Sequence, residues 1–295
     1  MKIRKGTSFF VFNIIGYIYL TFMALCCLLP FVLVLSASFT SESSILESGY
    51  KLIPDEFSLE AYKTLFLSID QIIDAYKVSF IVTVLGTVAG LFLIAMTGYV
   101  LCRKDFRYRE QISFFIYFTT LFSGGIIPTY LLMVKYLHLK DTYASMILPY
   151  LMSPFLIVLM KSFMKSIPEA ISESGKIDGA SDFTIFIRLI LPLAKPALAT
   201  IGLFLALQYW NDWYLASIYM TTPEKYPLQF YLYNILKRAE FFTTGLGTSV
   251  AMVGEIPMQS VKMATAVVTT GPIIFLYPFV QKHFVKGITV GAVKG

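Results

Sequence analysis

Residues 166–196 read S-I-P-E-A-I-S-E-S-G-K-I-D-G-A-S-D-F-T-I-F-I-R-L-I-L-P-L-A-K-P, from Ser166 to Pro196. This is the one polar island of any length between hydrophobic runs that could each cross a bilayer, and the rest of the chain is read outward from it. Ser166-x-x-Glu169 has the form of a capping box, with Pro168 in the first turn, so the spacing predicts that a helix begins here. Gly179, after Ile177-Asp178, is a natural stop, which predicts roughly three turns or about 18 Å at 1.5 Å per residue. Ala170, Ser174 and Ile177 fall near one face with Ile171 and Gly175 beside them, while Glu169, Glu173 and Lys176 fall toward the other. The first face is small enough for close docking. From charges alone, an amphipathic connector between two spans reads as well as a docking helix.

The flanking runs set the class. Of 295 residues 57% are hydrophobic and only 14% charged, which a soluble domain could not solvate. Uncharged runs occur at Gly6–Ser41, Val78–Cys102, Gln111–Val134, Thr142–Met160 and Met263–Gln281, and another at Pro196–Asn211 continues past Asp212 to Pro223. Each is close to or beyond the ~20 residues a helix needs to cross the hydrocarbon. The expectation is an all-α membrane protein with six transmembrane helices, at about 10–36, 78–102, 111–134, 142–162, 194–220 and 262–281. The whole chain, 1–295, then forms one transmembrane domain, with external loops at 40–77 and 221–261.

Six spans put both termini on one side. With the termini cytoplasmic, the inner segments hold Lys2, Arg4, Lys5, Arg103, Lys104, Arg107, Arg109, Lys161, Lys165, Lys176, Arg188, Lys195, Lys282, Lys286 and Lys294, well over half of the 24 basic residues. The net charge of +6 therefore reports orientation in a membrane, with lipid as its partner and no nucleic acid. Met1-Lys-Ile-Arg-Lys before an apolar run, with Ser36-Ala37-Ser38 as a cleavage-like string, invites a signal peptide. The run is much longer than a 7–15-residue signal core, so it reads as the first span. Cys26 and Cys27 are adjacent and Cys102 lies at a membrane edge, which offers neither disulfide nor metal pattern.

Three stretches carry candidate function. Phe122-Ser-Gly-Gly-Ile-Ile-Pro128 should break the third span, either lining a pathway or as a packing kink. Gln208-Tyr209-Trp210-Asn211-Asp212-Trp213-Tyr214 is the least membrane-like string in the fifth. It reads as a substrate pathway with aromatic faces for sugar rings, or as an interfacial belt that leaves Asn211-Asp212 unexplained. Between Glu42 and Lys77, an external loop with seven carboxylates and three lysines is either a solvated cap or a docking surface for another protein.

The stretch Glu173-Ser174-Gly175-x-x-Asp178-Gly179-Ala180, followed by Ile190-x-Pro192, resembles the "EAA" signature of ABC importer permeases. In that family the segment is the coupling helix, which sits in a groove of a cytosolic ATPase. Ser174 and Gly175 stand where the signature has two alanines. Pro54-x-x-x-Ser58-Leu59-x-x-Tyr62, Trp210-Asn211-Asp212-Trp213 and the ending Phe284-Val-Lys-Gly-Ile-x-x-Gly-Ala-Val-Lys-Gly295 are similar to segments of maltose-type, carbohydrate-importing permeases, in the oligosaccharide and polysaccharide-fragment branch. The resemblance implies a type I importer permease in a bacterial cytoplasmic membrane, coupled to ATP through 166–192. Its coupling residues would be Glu173, Ser174, Gly175, Asp178, Gly179, Ala180 and Pro192. Its pathway would include Tyr209, Trp210, Asn211, Asp212 and Trp213.

It further implies a second homologous permease, two ATP-binding cassette subunits and an extracytoplasmic sugar-binding protein. No cofactor would sit on this chain, and ATP and Mg would belong to the ATPases. In the maltose type an external loop can reach into the opened binding protein and the tail can enter the ATPase dimer, which here correspond to Gly245–Glu255 and the last dozen residues. The chain has no G-x-x-x-x-G-K-[ST], so the motor must be another polypeptide. His138 and His283 fall on opposite sides, which leaves an intramembrane enzyme without a dyad. A carrier driven by an ion gradient would rest on Asp212 alone, and a non-sugar solute remains open to an importer. The spans hold almost no Lys or Arg to balance an acidic sugar, which points to a neutral one unless the second permease supplies the charge.

Overall fold

The computed structural model describes residues 7–243 and 257–271. They are mostly helical, and the one β-contact among them is an isolated antiparallel bridge between Thr40 and Phe57. Two helices are long and apolar enough to cross a bilayer, α1 (Thr7–Ser38) over Phe10–Ser38 and α4 (Ile69–Cys102). Three bent pairs would each complete a further span, giving up to five among the described residues. The sixth expected span, 262–281, is helical through 271, and its remainder lies outside the described residues. So do the basic N-terminus, the Gly245–Glu255 loop and the tail.

The breaks have local causes. α5 (Arg109–Leu121) and α6 (Ile126–Leu131, extended to Tyr136) meet at 114° across Phe122–Gly125, where Gly125 takes φ +84°. The expected break in the third span is therefore present. The second pair, Tyr143–Tyr150 with α7 (Tyr143–Ile147) and then α8 (Pro154–Met164), bends by 49° where Pro154 opens α8. Between Asp182–Leu193 and Lys195–Trp210 the chain turns by 84° at Ala194. Pro192 has no N–H to give the Arg188 carbonyl, and the helix widens over Phe186–Ile190 just before it.

The described residues of Met1–Ile69 and Ile235–Gly271 form one compact unit, and those of Asp70–Asn234 the other. In the first, α1 is apolar on every side and largely exposed up to Leu35, as a lipid-facing helix is, with Ser36, Ala37 and Ser38 buried at its end. The segment after it is ordered. Phe39 stacks on Phe57 at 5.6 Å and lies 5.0 Å from Tyr62, whose hydroxyl is 2.9 Å from that of Ser38. Glu42, opening α2 (Glu42–Ser48), accepts from the amides of Gln259 and Ser260 and so caps the helix over 258–271. Tyr62, in α3 (Glu60–Leu65), thus serves the packing of a cap.

The second unit holds the core. α4 buries Val78, Val82, Ile94, Ala95, Tyr99 and Leu101 among Ile157, Met160, Ile185, Phe186, Ile201 and Leu205. Close approach comes from a row of glycines one helical face apart. A Cβ on Gly86 would meet the Tyr209 ring at 2.5 Å, one on Gly90 the Leu151 carbonyl at 3.1 Å, and one on Gly98 Met160 at 2.7 Å. Asp141, at φ +58°, ends the hairpin after α6 and ties it to the segment after the fifth span. It accepts from the Thr221 and Thr222 amides, the Thr222 hydroxyl and the Lys225 ammonium.

Candidate functional site

The polar island folds as α9 (Ala170–Ile177), eight residues and one turn shorter than its sequence suggests. The capping box does not form. Ser166 Oγ turns back to the Phe163 carbonyl at 2.7 Å, and the Glu169 carboxylate goes to Lys104 at 2.5 Å. The stop is as expected: Gly179 sits at φ +77°, its N–H bonds to the Lys176 carbonyl at 3.0 Å, and the Ala180 N–H bonds to Gly175 at 2.9 Å. This pair of bonds is the Schellman closure, which needs a left-handed residue where Gly179 stands.

α9 has an inner and an outer side. Gly175 is buried with a Cβ position 3.0 Å from Ile185 Cγ1 and Leu189 Cδ1, so the missing side chain brings α9 down onto the helix that follows. Outward stand Ala170, Glu173, Ser174 and Asp178, with Ile177 at 86% exposure. Ala180 is half-buried, and Ser181 caps α10 (Asp182–Ile185) by accepting from the Thr184 N–H at 3.3 Å. Pro192 lies in α11 (Leu191–Leu193), two residues before the bend at Ala194, and not on α9.

Ion pairs hold this geometry from the loop after α4. Asp105 takes a bidentate pair of bonds from Arg103, at 2.8 and 2.5 Å, and a third from Lys176 at 2.7 Å. Arg103 also reaches Asp182 at 2.6 Å. One carboxylate therefore ties the loop to α9, and one guanidinium ties it to α10. Hydrogen bonds from Arg103 and then Lys176 hold the Asp105 carboxyl below the usual carboxylate range. In the sequence, Arg103–Arg109 marks only sidedness. The pairing of Asp105 with Lys176 spans 71 positions and leaves no local signal.

The fifth-span string is dispersed by the structure. α12 (Lys195–Trp210) ends at Trp210, and Asp212 accepts from the Leu215 N–H at 3.3 Å, capping α13 (Tyr214–Tyr219). It also accepts from the Tyr150 hydroxyl at 3.1 Å. Tyr209 is 2% exposed, packs its ring over Gly86 and donates to the Ile147 carbonyl at 2.9 Å. Trp210 lies 6.4 Å from the Tyr76 ring, and Trp213 stacks on Tyr233 at 4.6 Å. Asn211 is exposed and accepts from Gln229 at 3.3 Å. So Trp210, Asn211 and Trp213 each meet a different neighbour, while Tyr209 is buried and Asp212 sits in the turn. Tyr150, Gly86 and Gln229 join this region without having been singled out. The spacing of Gly86, Gly90 and Gly98 by four and eight is the signal that could have found the packing face.

Comparison with known proteins decides the family. Residues 86–290 match the model of the binding-protein-dependent transport system inner membrane component. The chain belongs to this family. The permease match takes in α9, the bend at Ala194 and the fifth-span break together. Over 97% of its length the chain is 41% identical to the polygalacturonan/rhamnogalacturonan transport system permease protein YtcP of Bacillus subtilis (strain 168), covering 99% of that protein. It is 29% identical to the trehalose/maltose transport system permease protein MalG of Thermococcus litoralis, with 92% and 94% of the two chains covered. A chain of a bacterial ABC transporter that imports the acidic polysaccharide alginate superposes with a TM-score of 0.79 at 32% identity, covering 95% of this chain and 98% of that one. The fold is thus that of an ABC importer permease, and the chain is a transport component of the inner membrane.

Proposed function

We propose that this chain is the transmembrane subunit of an ATP-driven, binding-protein-dependent importer of oligosaccharides released from a polysaccharide. It has six spans with both termini cytoplasmic, and works beside a second homologous permease, two ATPase subunits that hold ATP and Mg, and an extracytoplasmic binding protein. α9 is the coupling element, with Glu173, Ser174, Asp178 and Gly179 facing the ATPase groove and Gly175, Ala180 and Pro192 shaping the way back into the membrane. ATP binding closes the ATPases, α9 moves as a lever with the α4–α5 loop that it is tied to, and the spans alternate between inward and outward openings. Trp210, Asn211 and Trp213 offer flat faces and amides to sugar rings, while Tyr209 and Asp212 fix that surface from below.

The observation that carries this reading is α9 itself. It is a short helix with a small outer face, closed by a left-handed glycine and bound to the body by ion pairs, within a chain of this family. The runner-up, a carrier driven by an ion gradient, would need Asp212 free to load an ion, and its carboxylate is engaged by Tyr150 and Leu215. The test is ATP hydrolysis by the chain with its co-purified partners in vesicles, with neutral and uronate-containing oligosaccharides added to the binding protein. Hydrolysis stimulated by one class of saccharide is expected. Uptake that follows a proton or sodium gradient, with no associated ATPase, would overturn the reading.

A further inference from the structure

A cavity of 1180 Å³ lies against the Cys102 end of α4 and the Met164 end of α8, with α9 forming one wall. Its cations are unequally matched. Arg103, Lys104 and Lys176 all bond to carboxylates. Lys161 and Lys165 have no ion-pair partner among the described residues, and Arg109 reaches only Glu110, at 3.7 Å. Lys161, one turn before Lys165, donates to Ser113 Oγ at 2.7 Å, and that hydroxyl donates to the Arg109 carbonyl at 2.5 Å. Lys161 is thereby held beside the start of α5, and both Lys165 and Arg109 repel it.

Helix ends do not account for this charge. Lys161 and Lys165 suit the C-terminus of α8, but Arg109 stands in the first turn of α5, where the helix dipole disfavours a cation. The same cavity is lined by Tyr99, which is 5% exposed and whose hydroxyl finds no hydrogen-bond partner among the described residues. Six cations and four carboxylates, Asp105, Glu110, Glu169 and Glu173, line the cavity, so its excess of positive charge calls for a counter-anion, and a buried hydroxyl left unpaired calls for an acceptor.

We propose that this cavity binds a phosphate group, with Arg109, Lys161 and Lys165 as its cationic ligands and the Tyr99 hydroxyl as a further donor. The phosphate can come from the headgroup of an anionic lipid, since the site lies at the ends of two spans where Lys and Arg side chains reach the headgroup layer. A soluble phosphate offers the same chemistry. Glu169, Glu173 and Lys176 of the α9 region line the facing wall, so an occupant here sits against the segment proposed to carry coupling.

The binding test uses the delipidated chain with whatever partners co-purify, and does not depend on the transport reading. Native mass spectrometry follows retention of phosphatidylglycerol, phosphatidylcholine or inorganic phosphate. Expected is one phosphatidylglycerol held at a concentration at least tenfold below that needed for phosphatidylcholine, or one inorganic phosphate held stoichiometrically. Phosphatidylglycerol that free phosphate does not displace assigns the site to lipid, and displacement assigns it to the soluble anion. Lys161→Gln/Lys165→Gln should weaken retention at least tenfold, whereas Lys135→Gln/Lys140→Gln, an equal loss of charge away from the cavity, should not change it. Tyr99→Phe removes only an unpaired hydroxyl, leaves packing intact and should weaken retention at least threefold. Retention without preference for either anion over phosphatidylcholine, or equal retention by the two double variants and by Tyr99→Phe, overturns the proposal.

Discussion

At Gly179 a Cβ would have open space around it but a backbone at φ +77°, whereas at Gly86 it would have an ordinary helical backbone and the Tyr209 ring 2.5 Å away. The two glycines mark two ways of fixing a helix end. The exit from α9 is set by backbone conformation and by half-exposed ion pairs, which leaves its outer face free for another subunit. The fifth span is set by burial, with Tyr209 wedged on Gly86 and bonded to the Ile147 carbonyl, and the polar residues beyond it inherit their positions. On the proposed reading, α9 is a lever held at one side and open at the other, and the fifth-span region a pathway wall made rigid from behind.

The sharpest way to break this contrast is Gly86→Ala. The methyl must displace an aromatic ring that has no slack, so a loss of about 1–3 kcal/mol is expected, read as a fall in the unfolding temperature of the detergent-solubilised complex. A variant as stable as the native chain would mean that the Tyr209 ring can yield. Asp105→Asn probes the other region. Its carboxylate is about half exposed, so stability should fall by only about 0.2–1 kcal/mol per pair, yet saccharide-stimulated ATP hydrolysis should drop several-fold as α9 loses its tie to the α4–α5 loop.

The pH dependence of that tie has a definite sign. Since folding depresses the Asp105 pKa, its contribution is complete above the ordinary carboxylate value of about 3.9 and is lost as pH falls below it. Between pH 8 and 5 the tie should hold unchanged, and stimulated hydrolysis in the native complex should show no loss traceable to Asp105. The smallest effect is expected at Gly175→Ala. A helix gain of about 0.5–1 kcal/mol offsets the strain of contacts at 3.0 Å with Ile185 Cγ1 and Leu189 Cδ1, so unfolding temperature and hydrolysis should stay near native.

Much of this was readable because it is local. The Gly179 stop follows from one glycine after a polar helix, and the third-span break from Gly124, Gly125 and Pro128. Ser166-x-x-Glu169 misled because both side chains had better partners elsewhere, the Phe163 carbonyl and Lys104. Asp212 looked anomalous as a membrane residue because the span was read as continuous. With α12 ending at Trp210, it becomes the cap of the next helix. Pro154, Pro192 and Pro196 did announce the bends of the fourth and fifth spans, but runs of apolar residues hid them. The Asp105 pairs and the fit of Tyr209 to Gly86 join residues far apart in the chain, and no periodicity carries such information.

The central claim, that α9 transmits the ATPase stroke through its left-handed exit, is tested most directly by saccharide-stimulated ATP hydrolysis in complexes carrying Gly179→Asn or Gly179→Val. Space around the position is open, so the two differ chiefly in backbone tolerance: asparagine adopts the left-handed region and a β-branched residue does so only with strain. The account predicts that assembled Gly179→Asn keeps stimulation close to native and that assembled Gly179→Val loses most of it. Equal stimulation in both variants would contradict it.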